Sequence, residues 1–101
     1  MRRDGKVLYT TNIADGGENG LVTLALRGRS VTVVGETDTP FAVPHNIAVA
    51  DCGGFVYVTH SGGASNKVTK YSTTTKDPVP VLVGALDVGF NPFGLDYVPP
   101  Q

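Results

Sequence analysis

Tryptophan is absent from this chain, and cysteine occurs once, as Cys52. A single cysteine excludes an internal disulfide, so packing and hydrogen bonds must hold the fold. Cys52 itself reads as a thiol in a turn or in the core. Charge of one sign is equally scarce: Lys and Arg total 8, Asp and Glu total 9, and the formal net charge is −1. That balance offers no electrostatic footprint for nucleic acid or for an anionic membrane. Apolar runs stop far short of the roughly 20 residues a membrane-spanning helix needs, so membrane insertion is not expected. The opening Met1-Arg2-Arg3-Asp4-Gly5 has basic residues with no apolar stretch behind them and does not read as a secretory signal. The chain has no Asn-x-Ser/Thr acceptor for N-linked sugar. No stretch holds an amphipathic helical period for three turns.

Glycine (13) and proline (7) are plentiful and spread along the chain. They punctuate short runs rich in Val, Leu, Tyr and Thr, which is the pattern of an all-β protein. Strands are expected over Val7–Thr11, Leu21–Leu26, Ser30–Val34, Ile47–Ala50, Phe55–Thr59, Val68–Ser72, Val79–Val83 and Leu95–Val98. Polar, glycine-rich turns separate them, notably at residues 14–20 and 61–66.

The strands also repeat. Gly5-Lys6-Val7-Leu8-Tyr9-Thr10-Thr11-Asn12 returns 48 residues later as Gly53-Gly54-Phe55-Val56-Tyr57-Val58-Thr59-His60. Pro44-His45-Asn46-Ile47-Ala48-Val49 returns at the same distance as Pro92-Phe93-Gly94-Leu95-Asp96-Tyr97. Leu21-Val22-Thr23 aligns with Lys67-Val68-Thr69, and Val33-Val34-Gly35 with Leu82-Val83-Gly84. A period of about 40–50 residues built from short strands is the signature of β-propeller blades. The chain therefore reads as one unit over residues 1–101, with one repeat over about 4–50 and a second over about 51–98. Several strands, such as Phe55–Thr59 and Val31–Val34, are apolar on both alternating sets. A sheet with one wet face would alternate more cleanly, so sheets packed on both sides are expected.

Tyr9-Thr10-Thr11-Asn12 and Tyr57-Val58-Thr59-His60 resemble the Tyr-Val-Thr-Asn core of the YVTN family of β-propeller repeats. The flanking order is similar too: Pro44-His45-Asn46-Ile47-Ala48-Val49 precedes the core, and Asn66-Lys67-Val68, Thr73-Thr74-Thr75 and Leu82-Val83-Gly84 follow it. The resemblance covers nearly the whole chain. It implies two four-stranded antiparallel blades in a circularly permuted order, B-C-D, then A-B-C-D, then a lone A-like segment. It also implies an extracellular or cell-surface setting, since related propellers include surface-layer proteins. Others are lactonase-like enzymes and the copper-binding domain of nitrous oxide reductase, so the fold alone does not settle a function.

Two blades cannot close a ring, which takes about four to eight. Either several copies assemble, or the chain is part of a larger propeller. The expected function is a structural or interaction module that partners itself head to tail. The C-terminal strand, with Phe93, Leu95, Tyr97 and Val98, would complete the first blade of the next copy. A trimer of six blades is favoured over a four-copy ring, and an open assembly is also allowed. The alternatives are a lactonase-like enzyme, or a fragment of one, and a carbohydrate-binding ring. The absence of Trp weakens the carbohydrate reading, since Tyr9, Tyr57 and Phe55 look like core.

His45, in Pro44-His45-Asn46, is the first candidate for chemistry. In the family resemblance that point lies near the mouth of the central channel. His45 is thus a candidate ligand for a divalent metal, the one cofactor considered, and the competing reading is a turn histidine. His45, Asn46 and Asp96 are candidate ligand-binding or channel-lining residues, Asp96 because it interrupts an apolar strand. His60 stands where the family has Asn and is expected to hold a turn. Asp15-Gly16-Gly17-Glu18-Asn19-Gly20 lacks the alternating acids of a calcium loop and reads as a polar turn. No Ser/His/Asp or Cys/His arrangement carries a recognisable motif, so no catalytic residue is assigned.

Overall fold

The computed structural model describes residues 1–2, 5–12, 20–41, 43–50, 54–61, 66–74, 76–89, 92, 94–96 and 98. Among them the chain is all-β and no helix forms. The strands are β1 (Val7–Thr11), β2 (Leu21–Arg27), β3 (Ser30–Thr37), β4 (Pro44–Ala50), β5 (Phe55–His60), β6 (Lys67–Ser72) and β7 (Val81–Asp87). They form two antiparallel sheets, β1-β2-β3 and β4-β5-β6-β7, each with neighbours in chain order. Three strands followed by four are the counts that the expected order, three strands and then four, gives within one chain. Neither sheet closes on itself. Across the expected strand at Leu95–Val98, the described residues Leu95, Asp96 and Val98 carry no strand pairing within the chain. The strand expected at Val79–Val83 instead begins at Val81, because Val79 and Pro80 belong to the connection before it. Proline has no amide to give a ladder, so a strand starting after Pro80 is the natural outcome.

The two sheets are one unit used twice. In the first, β2–β3 register jumps between Thr23 and Leu24, leaving Val34 as the extra residue of a bulge. In the second, β6–β7 register jumps between Lys70 and Tyr71, leaving Val83 in the same place. The ladders also refine the repeat. Leu21 pairs with Thr11 and Val68 with Thr59, so Leu21 corresponds to Val68 and not to Lys67.

The sheets pack through unlike faces. The core joins Val7, Tyr9 and Leu21 of the first sheet to Val56, Val58 and Tyr71 of the second, with Ile47 and Val49 against them. Side chains alternate faces along a strand. Tyr9 therefore faces the core, while its counterpart Tyr57 points to the far side of the second sheet. Conversely Val56 faces the core, while its counterpart Leu8 points away. Burial of such side chains contributes about 1.5–3 kcal/mol each.

The connection from β6 to β7 fastens the two sheets. The Tyr9 hydroxyl donates to the Pro78 carbonyl at 2.8 Å, and the Thr37 hydroxyl donates to the Pro80 carbonyl at 2.9 Å. Between them Val79 fills the space beside Gly35: a Cβ there would lie 2.5 Å from a Val79 methyl. At Gly84, the counterpart of Gly35, a Cβ would meet nothing within 4 Å.

Packing on both sides is expected of every sheet, and the outer strands correct this. β7 is exposed along its length, and β3 is exposed apart from Gly35 and Thr37. Val31, Val33, Val81 and Leu86 are each more than half exposed. Phe55 and Tyr57 are also only half-buried, not core, with the Lys70 ammonium 4.0 Å and 5.8 Å from their ring centres.

Candidate functional site

Three of the sequence candidates converge on one cavity. His45, Asn46 and Asp96 all line a groove of about 440 Å³, together with Tyr9, Thr10 and Thr11 of β1 and residues 47–49 of β4. The groove runs along the edge of β1 that faces away from β2. Among the described residues β1 has β2 as its one strand neighbour.

A bulge in β4 aims His45 and Asn46. Register passes from Pro44↔His60 to Ile47↔Val58, so two β4 residues oppose Thr59 alone. Bulges of this kind re-aim side chains. The Thr59 hydroxyl accepts the Asn46 amide at 3.1 Å, and the Asn46 side-chain carbonyl accepts the Ile47 amide at 2.9 Å. The His45 carbonyl accepts the Thr11 hydroxyl at 3.0 Å, tying the bulge to β1. Just before it, Val43 has φ of 52°, a left-handed conformation unusual for a β-branched residue. Its carbonyl accepts the Ser61 amide at 3.0 Å, which holds the strained turn into β4.

The backbone of β1 presents alternate residues to the groove. The Asn12 amide donates to Gly20 at 2.9 Å, and the Leu26 amide donates to Lys6 at 2.8 Å. Antiparallel strands exchange hydrogen bonds at every second residue, so the even-numbered residues of β1 bond to β2. The N–H and C=O groups of Val7, Tyr9 and Thr11 consequently point away from β2, and there the Val7 carbonyl accepts the Arg2 amide at 2.8 Å.

His60 does not hold a turn. It is fully buried at the end of β5, its Nε2 lies 2.8 Å from the Thr69 hydroxyl, and Phe41 meets its ring edge-on at 5.7 Å. Thr23, Thr69 and Tyr71 are also fully buried, giving the space between the sheets a polar component that the strand pattern did not announce, and Thr59 is buried on the far face of the second sheet. Burial raises the Tyr71 hydroxyl above its usual pKa of 10.0, partly offset by the neighbouring Thr69 hydroxyl. Among the described residues no group of three or more His, Cys, Asp or Glu side chains gathers as a metal site.

The C-terminal segment lies elsewhere. Leu95, Asp96 and Val98 border an apolar cavity of about 390 Å³ against Ala48, Tyr57, Val68 and Leu86, on the far face of the second sheet. Asp96 thus borders both cavities. Phe93 and Tyr97, named as assembly residues, lie outside the described residues, as do Cys52 and the polar turn at 13–19. Comparison with protein-family models, with curated proteins and with solved structures finds no match.

Proposed function

We propose that this chain is a structural or interaction module, a pair of propeller-type blades that associates head to tail with further copies of itself. The C-terminal segment of one copy completes the first sheet of the next. The observation that carries this reading is the packing of the two sheets through unlike faces. The face of the first sheet bearing Tyr9 is covered, and the corresponding face of the second, bearing Tyr57, is turned outward. The face of the second sheet bearing Val56 is covered, and its counterpart on the first, bearing Leu8 and Leu24, is turned outward. Each sheet therefore turns away from the other the kind of face that the other uses in the core; on the second sheet Tyr57 is half-buried there, bordered by the C-terminal segment. Contacts of this sort repeat, giving rings when the rotation closes and filaments when it does not.

Three copies with six blades are the favoured closed form, and an open assembly is the variant. The resemblance to surface propellers favours a place outside the cytoplasm. Light scattering tests the reading directly. The full chain should show about three times its mass of 10.6 kDa, or a larger open assembly. A chain lacking residues 91–101 should fall to monomer or become insoluble. A full-length chain that stays monomeric and folded at micromolar concentration overturns the proposal.

A further inference from the structure

We infer that the outer edge of β7 pairs with β7 of a second copy, antiparallel about a two-fold axis at Ala85. This contact uses a different surface from the head-to-tail one and does not rest on that reading.

β7 ends its sheet, and among the described residues β6 is its one strand neighbour. The Val88 amide donates to the Asn66 carbonyl at 2.7 Å, and the register pairs Leu86 with Val68 and Gly84 with Lys70. Antiparallel strands exchange bonds at every second residue, so Leu86 and Gly84 turn their backbone groups toward β6. The N–H and C=O groups of Ala85 and Asp87 consequently point outward. Every residue of β7 is exposed, Leu86 by 60%. An uncovered apolar edge of this kind is a template for another strand.

The strand complements its own copy. With the axis at Ala85, the two Ala85 residues exchange both backbone bonds. Gly84 then stands opposite the second copy's Leu86, and Leu86 opposite the second copy's Gly84. Opposed residues share a face of the sheet. Gly84 is an open notch, where a Cβ would meet nothing within 4 Å, and the exposed Leu86 side chain is the knob that fits it.

The other registers each meet an obstacle. Setting an outward residue against an inward one breaks the hydrogen-bond phase. An axis at Asp87 sets two carboxylates face to face, and an axis at Leu86 makes them diagonal neighbours. An axis at Gly84 places the bulge residue Val83 against Ala85, inside the ladder. With the axis at Ala85 the bulge falls at the end of the ladder. The two Asp87 carboxylates then lie roughly 13 Å apart along the strands, beyond the screening length in physiological salt.

The other outer strand, β3, lacks this fit. Its bulge at Val34 matches that at Val83, so Glu36 stands where β7 has Ala85 and Thr37 where it has Leu86. Self-pairing of β3 would oppose two carboxylates. Its notch at Gly35 is filled by Val79, and its Thr37 hydroxyl is held by the Pro80 carbonyl. β7 combines the open notch, the apolar knob and the uncharged centre.

Cross-linking of whole chains at high protein concentration tests this, with Cys52→Ser as background. Two cysteines at position 85 would have Cα atoms about 5.5 Å apart, within disulfide reach. Ala85→Cys chains should oxidise to a disulfide dimer much faster than Glu36→Cys chains. They should also outpace Val81→Cys chains, whose cysteines would lie roughly 25 Å apart along the strands. Ala85→Glu should weaken the pairing more than about tenfold by opposing two carboxylates. It should leave the urea midpoint unchanged, because Ala85 is exposed. Leu86→Cys chains that couple faster than Ala85→Cys chains would move the axis to Leu86 and overturn the register. Equal rates at positions 36, 81 and 85 would overturn the β7 pairing and leave the head-to-tail reading standing. Fast coupling at position 85 in a chain that is otherwise monomeric would support the β7 pairing and overturn the head-to-tail reading.

Discussion

The first and second sheets share a strand order, a repeat and a bulge, yet they are unequally finished. The second has four strands, and its Val56, Val58 and Tyr71 are fully buried. The first has three strands and, among the described residues, an edge with no strand neighbour. The connections differ too. β2 and β3 meet through a tight hairpin whose Gly28 has φ of 59°, a conformation that favours glycine. β6 and β7 are joined by the longer stretch 73–80, which reaches across to Tyr9, Gly35 and Thr37. The same supersecondary unit is therefore a four-stranded sheet or a three-stranded one according to what its neighbours supply.

The largest expected effect breaks the comparison at its core. Leu21→Ala should destabilise by about 2–5 kcal/mol, since Leu21 is fully buried between the sheets. Val68→Ala, at the corresponding place, should cost clearly less, because its face carries only the C-terminal segment. Urea denaturation of both variants measures the difference. Equal losses would mean that the far face of the second sheet is as well packed as the shared core.

The two glycines sharpen the contrast. Gly35→Ala should cost about 1–3 kcal/mol by pressing on Val79. Val79→Ala in the same chain should recover part of that loss. Gly84→Ala meets no neighbour and should lie within about 0.5 kcal/mol of the parent. A double-mutant cycle on Gly35 and Val79 with no coupling would remove the connection as the fastening between the sheets.

The smallest expected effect concerns Tyr71. Its hydroxyl is raised by burial in the folded state, so folding favours the neutral phenol. The contribution is fully present below the unfolded-state value of about 10 and is lost as pH rises past it. Tyr71→Phe should flatten the fall in stability above about pH 10 and change it little at pH 7. An unchanged alkaline limb would assign that fall to other groups.

Much of this was legible in the sequence, and what was not has physical causes. The strands β1, β2, β5 and β6 follow from β-branched and aromatic runs between turn residues. The repeat aligned Val33-Val34-Gly35 with Leu82-Val83-Gly84, the segments in which the structure places the matching bulges. Alternation could not separate a buried outer strand from an exposed one, because Val81–Val83 is apolar whether or not another sheet covers it. Tyr57 reads like Tyr9, and the faces differ only because one has a neighbouring sheet. His45, Asn46 and Asp96 were named separately, and nothing in their spacing said that one groove gathers them. That groove lies where β1 has no strand neighbour among the described residues, a tertiary fact. His60 was missed as a buried residue because its position at a strand end suggested a turn.

Amide hydrogen exchange along β1 tests the central claim most directly. The amides of Leu8 and Thr10 face β2, while those of Val7, Tyr9 and Thr11 face the groove. If a second copy's strand completes this sheet, all five should be protected alike at concentrations where the chain is assembled. On dilution below the dissociation constant the Val7 and Thr11 amides should lose protection, while the two even-numbered ones keep it. Odd-numbered amides that exchange freely in a preparation whose mass shows an oligomer would mean that the assembly does not use the edge of β1, and the account would be wrong.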